Sequence, residues 1–92
     1  MQISDDKKAK ILACRANELL NLAEKAGNAH LLKSYSSGNI GFEEISAKLN
    51  LEEDYFQYKK RLSELTNYQH EEMMNLVSQY ELFILAHICL PD

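Results

Sequence analysis

The sequence predicts an all-α fold, a compact four- to five-helix bundle closed by a strongly apolar C-terminal helix. Three observations predict it. The 92 residues include only three glycines and one proline, whereas β folds need turn residues every few positions. Good helix formers (Ala, Leu, Glu, Lys, Gln, Met) fill the chain instead. Apolar residues recur at steps of three and four, the period of a helix face. The length suits one domain and not two, so residues 1–92 read as a single helical domain with a thin core.

The first helix is expected over residues 4–26. Ser4 or Asp5 caps it, Asp5 and Asp6 favour its positive end, and Gly27 stops it. Leu12, Ala16, Leu19, Leu20 and Ala23 form one apolar face, widened by Ile11 and Leu22. A short second helix over residues 28–36 starts at Asn28 and carries Ala29, Leu31, Leu32 and Tyr35. The Ser36-Ser37-Gly38-Asn39 run is the clearest loop. A third helix over residues 41–50 places Phe42, Ile45 and Leu49 on one face.

Between residue 52 and Pro91 there is no glycine or proline. Thr66-Asn67-Tyr68-Gln69 has the form of a capping box, so the break between a fourth helix (52–65) and a fifth (67–90) falls there. The fifth has the strongest periodicity. Met73, Leu76, Tyr80, Phe83, His87 and Leu90 alternate steps of three and four, with Val77, Ile84 and Ile88 beside them. Eight of the nine residues over 82–90 are apolar, and a helix apolar nearly all round must be surrounded. The stripe is therefore a core seam or a dimer seam. With the first helix the only other long apolar face, the balance tips slightly to self-association.

Several functions are excluded by what is missing. His70-Glu71 begins a zincin motif, but the fourth residue after His70 is Met74. No carboxylate stands three residues before His30, His70 or His87, so the Glu-x-x-His of di-iron bundles is missing. There is no Cys-x-x-Cys pair, no acidic calcium loop, no nucleophile elbow and no phosphate-cradling glycine loop. No metal, no cofactor and no enzyme activity is expected. His87, inside the stripe, reads as a core or interface histidine with one hydrogen bond, and His30 and His70 as exposed. Cys14 and Cys89 read as buried thiols, not a disulfide framework. The N-terminus lacks the apolar run of a signal peptide, and the 82–90 stretch is about half a membrane span. No membrane contact is expected, and the cytoplasm of a cell or of an infected host is the expected place.

The net charge of −4 is unevenly spread. Residues 1–41 carry six basic and four acidic side chains, and residues 42–92 carry four and ten. Glu43-Glu44, Glu52-Glu53-Asp54 and Glu71-Glu72 stand at expected helix starts, where a carboxylate favours the helix dipole by a few tenths of a kcal/mol. Solvated helix faces account for most of this charge. The acidic half also suits a basic protein partner, steered in by the field.

Residues 42–62 carry a further pattern. Ile45 is followed by the small Ser46, Leu49 closes one helix, Leu51 begins the turn, and the aromatic pair Tyr55 and Phe56 stands in the next helix. This segment, about a quarter of the chain, resembles a helix-turn-helix, most nearly the unit of the arabinose-operon activator family. Glu52 stands where that family usually has a hydroxyl cap, and Lys60 where it has an apolar residue. The family has two such units and this chain one. The resemblance implies DNA contacts through Gln57, Lys59, Lys60 and Arg61, with the C-terminal helix as dimer interface. The helix that would read DNA, however, begins Glu52-Glu53-Asp54, and carboxylates there repel phosphates.

The leading expectation is thus a small, acidic, non-catalytic protein-binding regulator: an inhibitor, immunity protein, antitoxin-like factor, anti-defence protein or chaperone. Its expected contacts are Glu43, Glu44, Glu52, Glu53 and Asp54. The alternatives are a helix-turn-helix DNA-binding regulator and a structural subunit whose C-terminal helix inserts into a larger assembly.

Overall fold

The structure is a computed structural model that describes residues 2–91. Among them it has six α-helices, one 3-10 turn and no strand. The helices are α1 (Asp5–Ala13), α2 (Ala16–Lys25), α3 (Ala29–Ser36), α4 (Phe42–Lys48), α5 (Glu52–Glu64) and α6 (His70–Cys89). The all-α expectation stands, with six α-helices in place of four or five.

The extra helix comes from a break in the expected first one. Cys14 (φ −81°, ψ 145°) and Arg15 (φ −89°, ψ 168°) are extended, so the chain turns between α1 and α2. Ser4 Oγ caps α1 by accepting from the Lys7 amide at 3.2 Å. The Glu18 carboxylate reaches back to accept from the Arg15 amide at 3.4 Å, which is half of a capping box. The break changes which residues face inward. Ile11 is buried, whereas Leu12 is 68% exposed and Ala16 is exposed as well. Of the apolar face expected along residues 12–23, only Ala23 is fully buried.

The stops after α2, α3 and α4 share one device. After α2, Gly27 takes φ 79°, its amide bonds the Glu24 carbonyl at 3.1 Å, and the Asn28 amide bonds the Ala23 carbonyl at 2.7 Å. That is a Schellman motif, which needs a left-handed residue. After α4 the left-handed residue is Asn50 (φ 60°), a side chain that tolerates this region, and the Leu51 amide bonds the Ser46 carbonyl at 2.7 Å. The Asn28 side chain does not cap α3. Its amide donates to the Ile88 carbonyl at 3.0 Å and ties the α2–α3 turn to the end of α6.

The break before α6 falls where the capping box places it. Residues Asn67–Gln69 form the 3-10 turn, and Gln69 Oε1 accepts from the Thr66 amide at 2.9 Å. Helix α6 is the central element, packed by α1, α2, α3, α4 and α5. Tyr80, Ile84 and Ile88 on it are fully buried. Around Tyr80 the core is aromatic. The Tyr58 ring stacks on it at 4.3 Å between centroids, and Phe42 meets it edge-on at 5.2 Å. Ser46, the small residue of α4, is also fully buried, and its hydroxyl is 2.7 Å from Tyr80 Oη. That bond satisfies two polar groups that would be costly to bury alone.

Candidate functional site

The six-residue stripe of α6 lies partly in the core. Tyr80 and Phe83 are buried within the chain itself, and Met73, Leu76, His87 and Leu90 are half-buried. Within the chain the other helices cover Tyr80 and Phe83, while the other four stripe residues keep part of their surface open. His87 Nδ1 is 2.9 Å from the Phe83 carbonyl and its ring lies 4.3 Å from the Phe83 ring, the one-hydrogen-bond histidine expected. His30 and His70 are exposed.

The charged surface lies on α4 and α5. Glu43 and Glu44 stand exposed in the first turn of α4, and Glu52 and Glu53 stand exposed in the first turn of α5. Seven residues of helix span about 10 Å, so the two pairs flank α4 and are not one cluster. Asp54 departs from the expectation of a fully exposed acid. It is half-buried, and its charge helps raise the Tyr80 hydroxyl pKa, after the larger effect of burial. Gln57, Lys59, Lys60 and Arg61 are exposed on the same helix. Gln57 Nε2 donates to Glu53 Oε1 at 3.2 Å, and Arg61 pairs with Glu64 at 3.4 Å.

Residues 42–62 fold as helix, three-residue turn and helix. Ile45, Ser46 and Leu51 are buried and Leu49 half-buried. The aromatic pair splits: Tyr55 packs against the core, whereas Phe56 is 60% exposed. Three-and-four spacing explains it, because Tyr55, Tyr58 and Leu62 form the inner face and leave Phe56 on the outer one. That signal lies in the sequence, but the helix-turn-helix pattern pairs the two aromatics and hides it.

Two further features were not legible in the sequence. A groove of about 410 Å³ between α2, α3 and α6 is lined by Leu19, Leu32, Tyr35, Glu81 and Leu85, among others. Burial raises the Tyr35 hydroxyl pKa, and the Glu81 carboxylate, which accepts a hydrogen bond from that hydroxyl, adds to the rise. Cys89 is buried and donates to the Leu19 carbonyl at 3.5 Å. Burial pushes its thiol up to about 11, and the charge of Cys14 acts in the same direction. Both cysteines are free thiols, and Cys14 is half-buried, short of the full burial expected.

Among the described residues no three His, Cys, Asp or Glu side chains converge to hold a metal, and no helix is long and apolar enough to cross a membrane. The fold and its surface define a class, a small all-α protein with charged helix faces around an aromatic core. Comparison with protein-family models, with curated proteins and with solved structures finds no match.

Proposed function

We propose that the chain is a small protein-binding regulator that acts without catalysis, by occupying a basic surface on its partner. One observation carries this reading: Glu43, Glu44, Glu52 and Glu53 are all exposed on the first turns of consecutive helices. Carboxylates so placed steer a basic partner into contact. The reading covers an inhibitor, an immunity protein, an antitoxin-like factor, an anti-defence protein or a chaperone.

A second reading has its own support. Gln57, Lys59, Lys60 and Arg61 are exposed along α5, the second helix of the helix-turn-helix-like segment. A DNA-binding regulator would use them, with Glu52 and Glu53 opposing the approach to phosphates.

One experiment separates the two. Wild type and a Glu43→Lys, Glu44→Lys variant are used as bait in a lysate of the source organism or its host, at low and high salt, with and without nuclease. The protein-binding reading expects a captured protein that survives nuclease, weakens with salt and is lost in the variant. Capture indifferent to the charge reversal would defeat that reading. Retention of nucleic acid that vanishes with nuclease would favour the second.

A further inference from the structure

Helix α5 presents two faces. Tyr55, Tyr58 and Leu62 pack inward. The outer face carries Glu52, Glu53, Phe56, Lys59 and Lys60, all exposed. These five residues are arranged symmetrically about the aromatic ring. Two carboxylates stand four and three residues before Phe56, and two ammonium groups stand three and four residues after it. Residues three and four apart share a helix face, so the face reads acid, acid, ring, base, base.

We propose that this face is self-complementary, and that its occupant is a second copy of the chain bound antiparallel through α5. A two-fold axis through Phe56 brings Glu52 and Glu53 of each chain against Lys59 and Lys60 of the other. The same residues then contact each other in both directions, as an isologous interface requires. Parallel pairing sets like charge on like charge and is disfavoured, so the charge pattern selects one orientation. At the axis the two Phe56 rings meet, with centroids about 4.5–7 Å apart in an offset or edge-on pair. The aliphatic stems of the lysines cover the rings while their ammonium groups reach the carboxylates. Glu53 already accepts from Gln57, and a carboxylate has acceptor capacity for a second donor.

The seam is short. Thirteen helical residues span about 20 Å, with one exposed aromatic ring from each chain, so the buried area falls below the roughly 1,200 Å² of a standard specific interface. The dimer is therefore weak, and it loosens as salt screens the ion pairs. The inference goes beyond the protein-binding reading. It shares Glu52 and Glu53 with that reading but does not use Glu43 or Glu44, so each can fail without the other.

Sedimentation equilibrium over a concentration series up to about 1 mM tests it. Wild type is expected to show a monomer–dimer equilibrium that shifts to monomer at high salt and in Phe56→Ala. Glu52→Lys with Glu53→Lys makes the outer face wholly basic, and Lys59→Glu with Lys60→Glu makes it wholly acidic. Each variant alone is expected to be monomeric, and a one-to-one mixture is expected to recover the dimer. Circular dichroism checks that each variant is folded. Lys59→Gln with Lys60→Gln, expected to weaken the dimer by at least tenfold, replaces any variant that is not. Three results would each overturn the proposal: a wild type monomeric throughout, a dimer that persists in the charge-reversed variants, or a mixture of folded variants that stays monomeric.

Discussion

Helix α6 runs for 20 residues without interruption, whereas the helical stretch at the N-terminus breaks at Cys14 and Arg15 into α1 and α2. The two regions do different work in the core. On α6, Tyr80, Phe83, Ile84, Ala86, Ile88 and Cys89 are buried, because five helices pack around it. Helices α1 and α2 lie on its surface, and each sends in a single fully buried side chain, Ile11 and Ala23. From Tyr80 onward α6 is largely enclosed, whereas its first half carries the exposed Glu71, Glu72, Met74 and Asn75, and the helix stays continuous through both. Helices that wrap it must change direction to stay in contact, and two extended residues make that turn without glycine or proline. Apolar spacing alone does not separate the two cases.

The largest expected effect tests the central helix. Phe83→Asp removes a buried ring from beside Tyr80 and His87 and puts a carboxylate in its place. Losing the buried ring costs about 3–5 kcal/mol and desolvating a carboxylate adds to it, a large share of the stability of a small domain. The chain is expected to unfold, seen as loss of the helical circular dichroism signal. A folded variant of native size would place Phe83 on the surface and undo the contrast with α1.

A smaller effect tests the wrapping helices. Ile11→Ala removes a buried side chain and is expected to cost about 2–3 kcal/mol in urea unfolding, the low end for such a change because the site is peripheral. Leu12→Ala is expected to stay within about 0.5 kcal/mol, because Leu12 is 68% exposed. An unbroken helix over residues 4–26 predicts the reverse order. The pair of values therefore measures the break directly.

The sequence shows clearly where the chain stops and poorly where it turns without stopping. Gly27 and Gly38 mark two helix ends, and Thr66 with Gln69 marks the start of the last, because these residues carry their own geometry or hydrogen bonds. Nothing local marks Cys14 and Arg15, and Glu18 looks like any first-turn acid until the Arg15 amide is seen against it. For the surface, the exposed acids and the basic run on α5 were legible as candidates. Asp54 was not, because its half-burial depends on where Tyr80 lies. The exposure of Phe56 was present in the spacing of Tyr55, Tyr58 and Leu62 but needed the inner face of α5 to be fixed first. Tyr35 with Glu81, and Cys89 with Leu19, join residues far apart in the chain and leave no mark in its pattern.

A pH-dependent effect uses the thiol that the fold encloses. The folded pKa of Cys89 is raised from 9.0 to about 11, and the hydroxyl pKa values of Tyr58 and Tyr80 are raised above 10.0, in each case by burial first. A raised folded pKa means that the folded chain holds its proton where the unfolded chain has lost it. The stabilising contribution is thus fully present below the unfolded pKa and is lost as pH rises towards and through the folded one. For Cys89 that window opens at pH 9 and closes near 11, and for the tyrosines it opens at 10. Each proton held differently changes stability by about 1.4 kcal/mol per pH unit once the window is open. Urea midpoints are therefore expected to fall from about pH 9 in wild type. In Cys89→Ala the fall is expected to start about one unit higher, where the tyrosines take over. The comparison is between slopes, so the cost of removing the sulfur does not enter it. An onset near pH 9 that Cys89→Ala leaves in place would mean that Cys89 is not the enclosed group, and that the end of α6 is more open than its middle.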